Sequence, residues 1–147
     1  MKSTQTITAA ILAAVSVSAA PAKSTLHSRG TPAPVPNWII ERMQRICAED
    51  DSSCTWHFFI NPQIADVTEC TYVVEAPNAS HAQGGPVNCG DYTITSGWDT
   101  GGWTTFSIVD NPQRYIAFPA WNDGEVQGGN VLGPKDALVE LLPQPMP

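Results

Sequence analysis

The chain has 147 residues, seven Lys/Arg against fourteen Asp/Glu, and a formal charge of −7. That acidity argues against nucleic acid and against insertion into or adsorption on anionic membranes. Four cysteines make the redox compartment the first question.

The N-terminus, "MKSTQTITAAILAAVSVSAAPAKS", answers it. Lys2 supplies a positive start, Ile7 to Val17 a short apolar run, and Val17-Ser18-Ala19 small residues before a cut. Residues 1–19 read as a secretory signal peptide. The run falls short of the ~20 apolar residues that span a bilayer. The expected mature protein is secreted and extracellular, a chain of about 128 residues. Residues 20–36 are rich in Pro, Ser and Thr and predict an extended or disordered tail. Residues 143–147 form a second, Pro-rich tail. A single domain is expected over 37–142.

Within that domain "NWIIERMQRIC" (37–47) fits two periods. Ile39, Met43 and Ile46 make a helical stripe, whereas Trp38, Ile40, Arg42 and Gln44 make one face of a strand. Next comes "CAEDDSSC" (47–54), three acids between two cysteines. "CTWHFFI" (54–60) is β-branched and aromatic and ends at the turn pair Asn61-Pro62. "VTECTYVVE" (67–75) alternates, with Cys70, Tyr72 and Val74 on one face. Asn78-Ala79-Ser80 is an N-x-Ser sequon, so Asn78 is a candidate glycosylation site on an exposed loop. "DYTITSGW" (91–98) and "WTTFSIVD" (103–110) flank "DTGG" and predict a hairpin with Phe106 and Ile108 on one face. "RYIAFPA" (114–120) predicts Ile116 and Phe118 inward, and "ALVEL" (137–141) a last strand. The whole is all-β: a small antiparallel β-sandwich or β-barrel.

Secretion makes disulfides the expected state of Cys47, Cys54, Cys70 and Cys89. Four cysteines allow three pairings. The local choice, Cys47–Cys54 with Cys70–Cys89, is worth roughly 2.5 and 3.3 kcal/mol by loop entropy. A disulfide loop also suits "CAEDDSSC" better than a metal site, because the alternating ligands and Gly of a calcium loop are missing. Its acids then keep a hairpin tip wet and offer a surface for recognition. No metal or other cofactor is expected.

No serine sits in a G-x-S-x-G elbow to recruit His27, His57 or His81. Asp99, in "DTGG", matches the Asp-Thr-Gly of aspartic proteases and is the single motif-level candidate for an acid hydrolase. Asp and Gly are also ordinary turn residues between two strands. Trp98, Trp103 and Trp121 are candidates for a binding surface that stacks on sugar rings; the competing assignment is core packing.

The order "WIIERMQRICAEDDSSCTWHFFI", "CTYVV", "CGDYTITSGW", "FSIVD", "IAFPAW" resembles fungal small secreted cysteine-containing proteins of the hypersensitive-response-inducing, elicitor type. Trp38, Cys47, Cys54, Trp56, Cys70, Cys89 and Trp98 carry the resemblance, which spans about residues 37–142. It implies a disulfide-stabilised β-barrel or sandwich acting at the plant interface as an effector or elicitor. It also implies that 37–47 is a strand, and it brings no catalytic residues. The partner implied is a plant cell-surface receptor; cell-wall polysaccharide is the alternative.

Overall fold

The computed structural model describes residues 30–144. The signal peptide expected at 1–19, residues 20–29 of the expected tail with His27, and residues 145–147 lie outside the described residues.

Ten strands follow one another: β1 Trp38–Cys47, β2 Ser53–Asn61, β3 Thr68–Glu75, β4 Gly84–Cys89, β5 Tyr92–Asp99, β6 Trp103–Asp110, β7 Tyr115–Ala117, β8 Ala120–Asn122, β9 Lys135–Ala137 and β10 Val139–Leu141. A one-turn helix, α1 (Asp123–Val126), and two short 3-10 turns, Ala79–His81 and Gln127–Gly129, fill the connections. One sheet runs β3-β2-β1-β9, and the other β10-β7-β6-β5-β4 with β8 also paired to β6. All of these pairings are antiparallel. The fold is therefore an all-β sandwich, and the sheets do not close into a barrel.

The core forms where the alternating inward residues of both sheets meet. Phe106 is its centre. Edge-to-face contacts at ring-centroid distances of 5.0 to 6.1 Å join it to Trp56, Phe58, Trp121 and Tyr72. Trp38 and Tyr92 make a second edge-to-face pair. Burial pushes the Tyr72 phenol well above its ordinary value, and Tyr92 up to about 12 through burial and the nearby Asp110 and Asp91. Tyr72 meets its partner, the Ser96 hydroxyl, inside the core.

The cysteines pair locally. Cys47 and Cys54 are cross-strand neighbours in β1 and β2, with Cα atoms 3.9 Å apart. Cys70–Cys89 joins β3 to β4, edge strands of different sheets, across 5.3 Å. One bridge thus closes a hairpin and the other clamps the sandwich.

Segment 37–47 is a strand, and a bulge explains why its pattern reads two ways. Trp38 and Ile40 point inward, but so do Met43 and Arg45, while Arg42 is exposed. The strand face expected from Arg42 and Gln44 is therefore not formed. Arg42 takes a left-handed φ of 53°, and the β1–β2 register shifts between Glu41 and Gln44. One extra residue reverses the alternation beyond it. The bulge also frees the Met43 carbonyl, which accepts from the Leu132 amide at 2.9 Å. Past the bulge β9 no longer pairs with β1, and the 127–132 segment covers this edge instead.

Three further expectations change. Phe118 does not turn inward: β7 stops at Ala117, and Phe118 is 53% exposed at the break before β8. The Pro119 carbonyl there accepts from the Phe106 amide at 2.8 Å, which shifts the phase between β7 and β8. "ALVEL" is not one strand. Ala137 ends β9 in one sheet, Val139 begins β10 in the other, and exposed Leu138 makes the crossing. The start of the folded unit also precedes residue 37. Ala33 donates to the Val139 carbonyl, Leu141 donates to Thr31, and Ala33 and Val35 pack on the core. A Pro-rich segment does this by edge pairing, where missing N–H groups do little harm.

Candidate functional site

The richest polar cluster among the described residues lies where the β1–β2 tip, the Ala79–His81 turn, the end of β5 and α1 converge. Its placement begins with two local capping devices. Asn122 accepts from the Glu125 amide and the Glu125 carboxylate accepts from the Asn122 amide, both at 2.9 Å. This capping box sets the first turn of α1 and holds Asp123 in it. At the β1–β2 tip, Asp50 accepts from the Ser52 amide and hydroxyl, which pulls its carboxyl below the ordinary carboxylate range.

Asp123 is the hub. Its amide donates to the Gly102 carbonyl in the β5–β6 turn at 2.9 Å. Its Oδ2 accepts from the Trp98 indole Nε1 at 3.0 Å and lies 3.5 Å from His81 Nε2. Its Oδ1 lies 3.4 Å from an Arg45 guanidinium nitrogen. The His81 ring stacks on Trp98, with centroids 4.4 Å apart and planes 28° apart.

Arg45 enters from below. It is 7% exposed, an unusual position for a charged residue. Its burial is balanced by Asp123, by the Ser80 carbonyl at 3.0 Å and by the Trp56 ring face at 5.3 Å. Asp51 completes the set. It accepts from the Ser80 hydroxyl at 2.6 Å and amide at 2.9 Å, while its carbonyl accepts from the Ala79 amide. The Ser80 hydroxyl bond is the largest cause holding the Asp51 carboxyl below its ordinary value. A groove of about 530 Å³ runs alongside, lined by Arg45, Ile46, Asp51, Ser80, Val126 and Gly129.

The acids of "CAEDDSSC" therefore do more than keep a loop wet, because Asp51 fastens the hairpin tip to the neighbouring turn. Cys47, Cys54 and Asp51 also lie within metal-ligand reach of one another, but the two sulfurs are bonded to each other and offer no thiolate. His81 has a carboxylate beside it but no hydroxyl or thiol hydrogen-bonded to it among the described residues. Ser80 gives its proton to Asp51 instead.

The remaining candidates scatter. Asp99 is exposed, and its Oδ1 accepts from the Gly101 amide at 2.7 Å. This is a turn-forming bond, with no second carboxylate sharing it among the described residues. His57 sits on the outer face of β2 and pairs with Glu69 at 2.8 Å. Asn78 is exposed with a left-handed φ of 56°, directly before the Ala79–His81 turn. The three tryptophans do not share a surface. Trp121 is 1% exposed and belongs to the core. Trp98 lies in the polar cluster, on the inward-facing series of β5, and Trp103 faces outward from β6.

Arg45 and Asp123 carry this site, and neither stands out in the sequence. Asn122 and Glu125 have the spacing that announces a helix start, which would have located Asp123. Arg45 has no such signal, since the bulge at Arg42 alone turns it inward.

A family model described as Effector TSP1 matches residues 39–144. A protein named Effector TSP1 from Hypocrea virens (strain Gv29-8 / FGSC 10586) is 42% identical over 143 residues, covering 93% of this chain and 95% of that protein.

Proposed function

The chain belongs to the Effector TSP1 family, and from that premise we propose that it is a secreted, non-enzymatic fungal effector of the elicitor type, perceived at the plant interface through its folded surface. The observation that carries this reading is the family match over residues 39–144, which takes in all ten strands apart from the first residue of β1. Secretion is supported by the N-terminal signal pattern and by four cysteines that all pair.

The recognised face is the β1–β2 tip with the Ala79–His81 turn. There Glu49, Asp50, His81 and the sequon residue Asn78 are exposed on a backbone braced by the Cys47–Cys54 bridge, Asp51 and Arg45. A braced polar face loses little conformational entropy when a receptor binds it. A glycan on Asn78 stands at the edge of this face. The non-enzymatic reading is supported by the engagement of Ser80 with Asp51 and of Asp99 with its own turn.

Leaf infiltration tests this. Purified residues 20–147 are compared with the same protein reduced and alkylated, scoring oxidative burst and cell death. The expected result is a response that needs intact disulfides. A response surviving reduction points to a linear epitope, and silence across several plant species removes the elicitor reading.

A further inference from the structure

The outward face of the six-stranded sheet carries a second feature, different in character from the polar β1–β2 tip. Thr95 and Gly97 of β5 pair with Ser107 and Thr105 of β6. These four form the floor of an open trough of about 470 Å³, with Gln83 and Phe118 also lining it. None of its lining residues is ionisable.

Two large aromatic side chains stand exposed on the same face. Phe118 is 53% exposed and lines the trough; Trp103, two residues before Thr105 on the same strand face, is 43% exposed just beyond the lining, opposite exposed Asp99. Two residues along a strand is about 7 Å. Gly97 keeps the floor flat: a Cβ placed there meets nothing within 4 Å. Hydroxyl and amide groups between exposed aromatic rings match a ligand that is uncharged, rich in hydroxyls and apolar on its ring faces.

We propose that this trough is a binding site for an extended, neutral β-linked glycan chain, with Trp103 and Phe118 as stacking platforms and Thr95, Thr105, Ser107 and Gln83 as hydrogen-bond partners. The uncharged trough lining offers an anionic polymer such as polygalacturonate no cation, and Asp99 opposite Trp103 and the net negative protein repel it. The site is separate from the β1–β2 tip assigned to perception, so either assignment stands without the other.

The test is retention of the full-length mature protein on insoluble cellulose, chitin and β-1,3-glucan, with tryptophan fluorescence as a second readout. Retention on at least one polymer is expected, unchanged when NaCl is raised to about 0.5 M, because no ion pair contributes. Trp103→Ala and Phe118→Ala each weaken retention about tenfold, as loss of a stacking platform predicts. Gly97→Val is the decisive variant. Its Cβ meets nothing within 4 Å and its branched side chain favours the strand, so it raises the trough floor and keeps the melting temperature while abolishing retention. No retention on any polymer overturns the proposal, as does retention that salt removes or that Gly97→Val leaves intact. Light scattering supplies one more overturning result: a dimer that Gly97→Val dissociates, with no glycan bound, makes this face a contact between copies. Leaf response is not among the readouts, so failure of the elicitor assay and failure of this site are distinguishable.

Discussion

Two hairpin tips show how similar local chemistry leads to different structural roles. The β1–β2 tip and the β5–β6 tip both join antiparallel strands, and both use an aspartate to fold the turn. Asp50 accepts from Ser52 in one, and Asp99 accepts from Gly101 in the other. The second tip also relies on Gly102, whose φ of 80° suits a residue without a side chain. It makes one backbone link outward, from Asp123 to the Gly102 carbonyl. The first tip is closed by a disulfide, fastened by Asp51 to residues 79 and 80, and supported by buried Arg45 beneath. A turn aspartate alone does not distinguish these cases. The difference comes from which third element the tip touches.

Arg45→Ala breaks the braced tip most severely. It leaves Asp123 without its guanidinium and the Ser80 carbonyl without its donor, at about 3 kcal/mol. Urea unfolding reads this directly, and Arg45→Lys recovers little because a point charge cannot lie over Trp56 and reach both oxygens. Removing Cys47–Cys54 with a paired change to serine costs about 2.5 kcal/mol by loop entropy. The strands should otherwise keep their register, visible as an unchanged far-ultraviolet spectrum.

Asp51→Ala sharpens the comparison through pH. At neutral pH it costs about 1 kcal/mol, since the Ser80 hydroxyl and amide lose a charged acceptor at a partly exposed site. The Asp51 carboxyl is lowered in the fold, so its contribution is complete above the unfolded value near ~3.9. It disappears as pH falls from there through the lower folded value. The melting-temperature gap between parent and Asp51→Ala should therefore be constant from neutral pH to about pH 4.5 and narrow below it. Asp99→Ala is the smallest change, within about 0.5 kcal/mol, because it touches one exposed turn bond. If Asp99→Ala proves more damaging than Asp51→Ala, the contrast between a braced and a local tip is wrong.

Much of the fold was legible. The alternation of Cys70, Tyr72 and Val74, the pairing of β5 with β6, and the β2 segment follow from period-2 burial, which needs only neighbours in sequence. The resemblance to fungal elicitor-type proteins is matched by the family assignment, and it placed 37–47 in a strand where periodicity left the choice open. Phe118, Leu138 and Trp121 were not legible in the same way. Phe118 and Leu138 sit at a break or switch between strands, and Trp121 lies in β8 just past the Phe118 break; which face such a residue takes depends on the strand it next pairs with. The candidate site was the least visible part. Its acids and histidine could be named, but Arg45 and Asp123 became partners through a bulge in β1 and a capped turn of α1.

By itself the sequence determined the class of molecule: an acidic, cysteine-containing β domain, with turns where Gly, Asn, Asp and Pro permit them. These are local or compositional properties, set by dihedral preference, hydrophobic alternation and charge. Tertiary structure alone decided that Arg45 is buried beneath a hairpin tip, that Asp51 braces it, and that Trp103 and Phe118 stand on the outward face of a sheet while Trp121 enters the core. A single bulge or strand switch reverses every side chain beyond it, so these placements depend on contacts between segments far apart in the chain, 78 residues for Arg45 and Asp123.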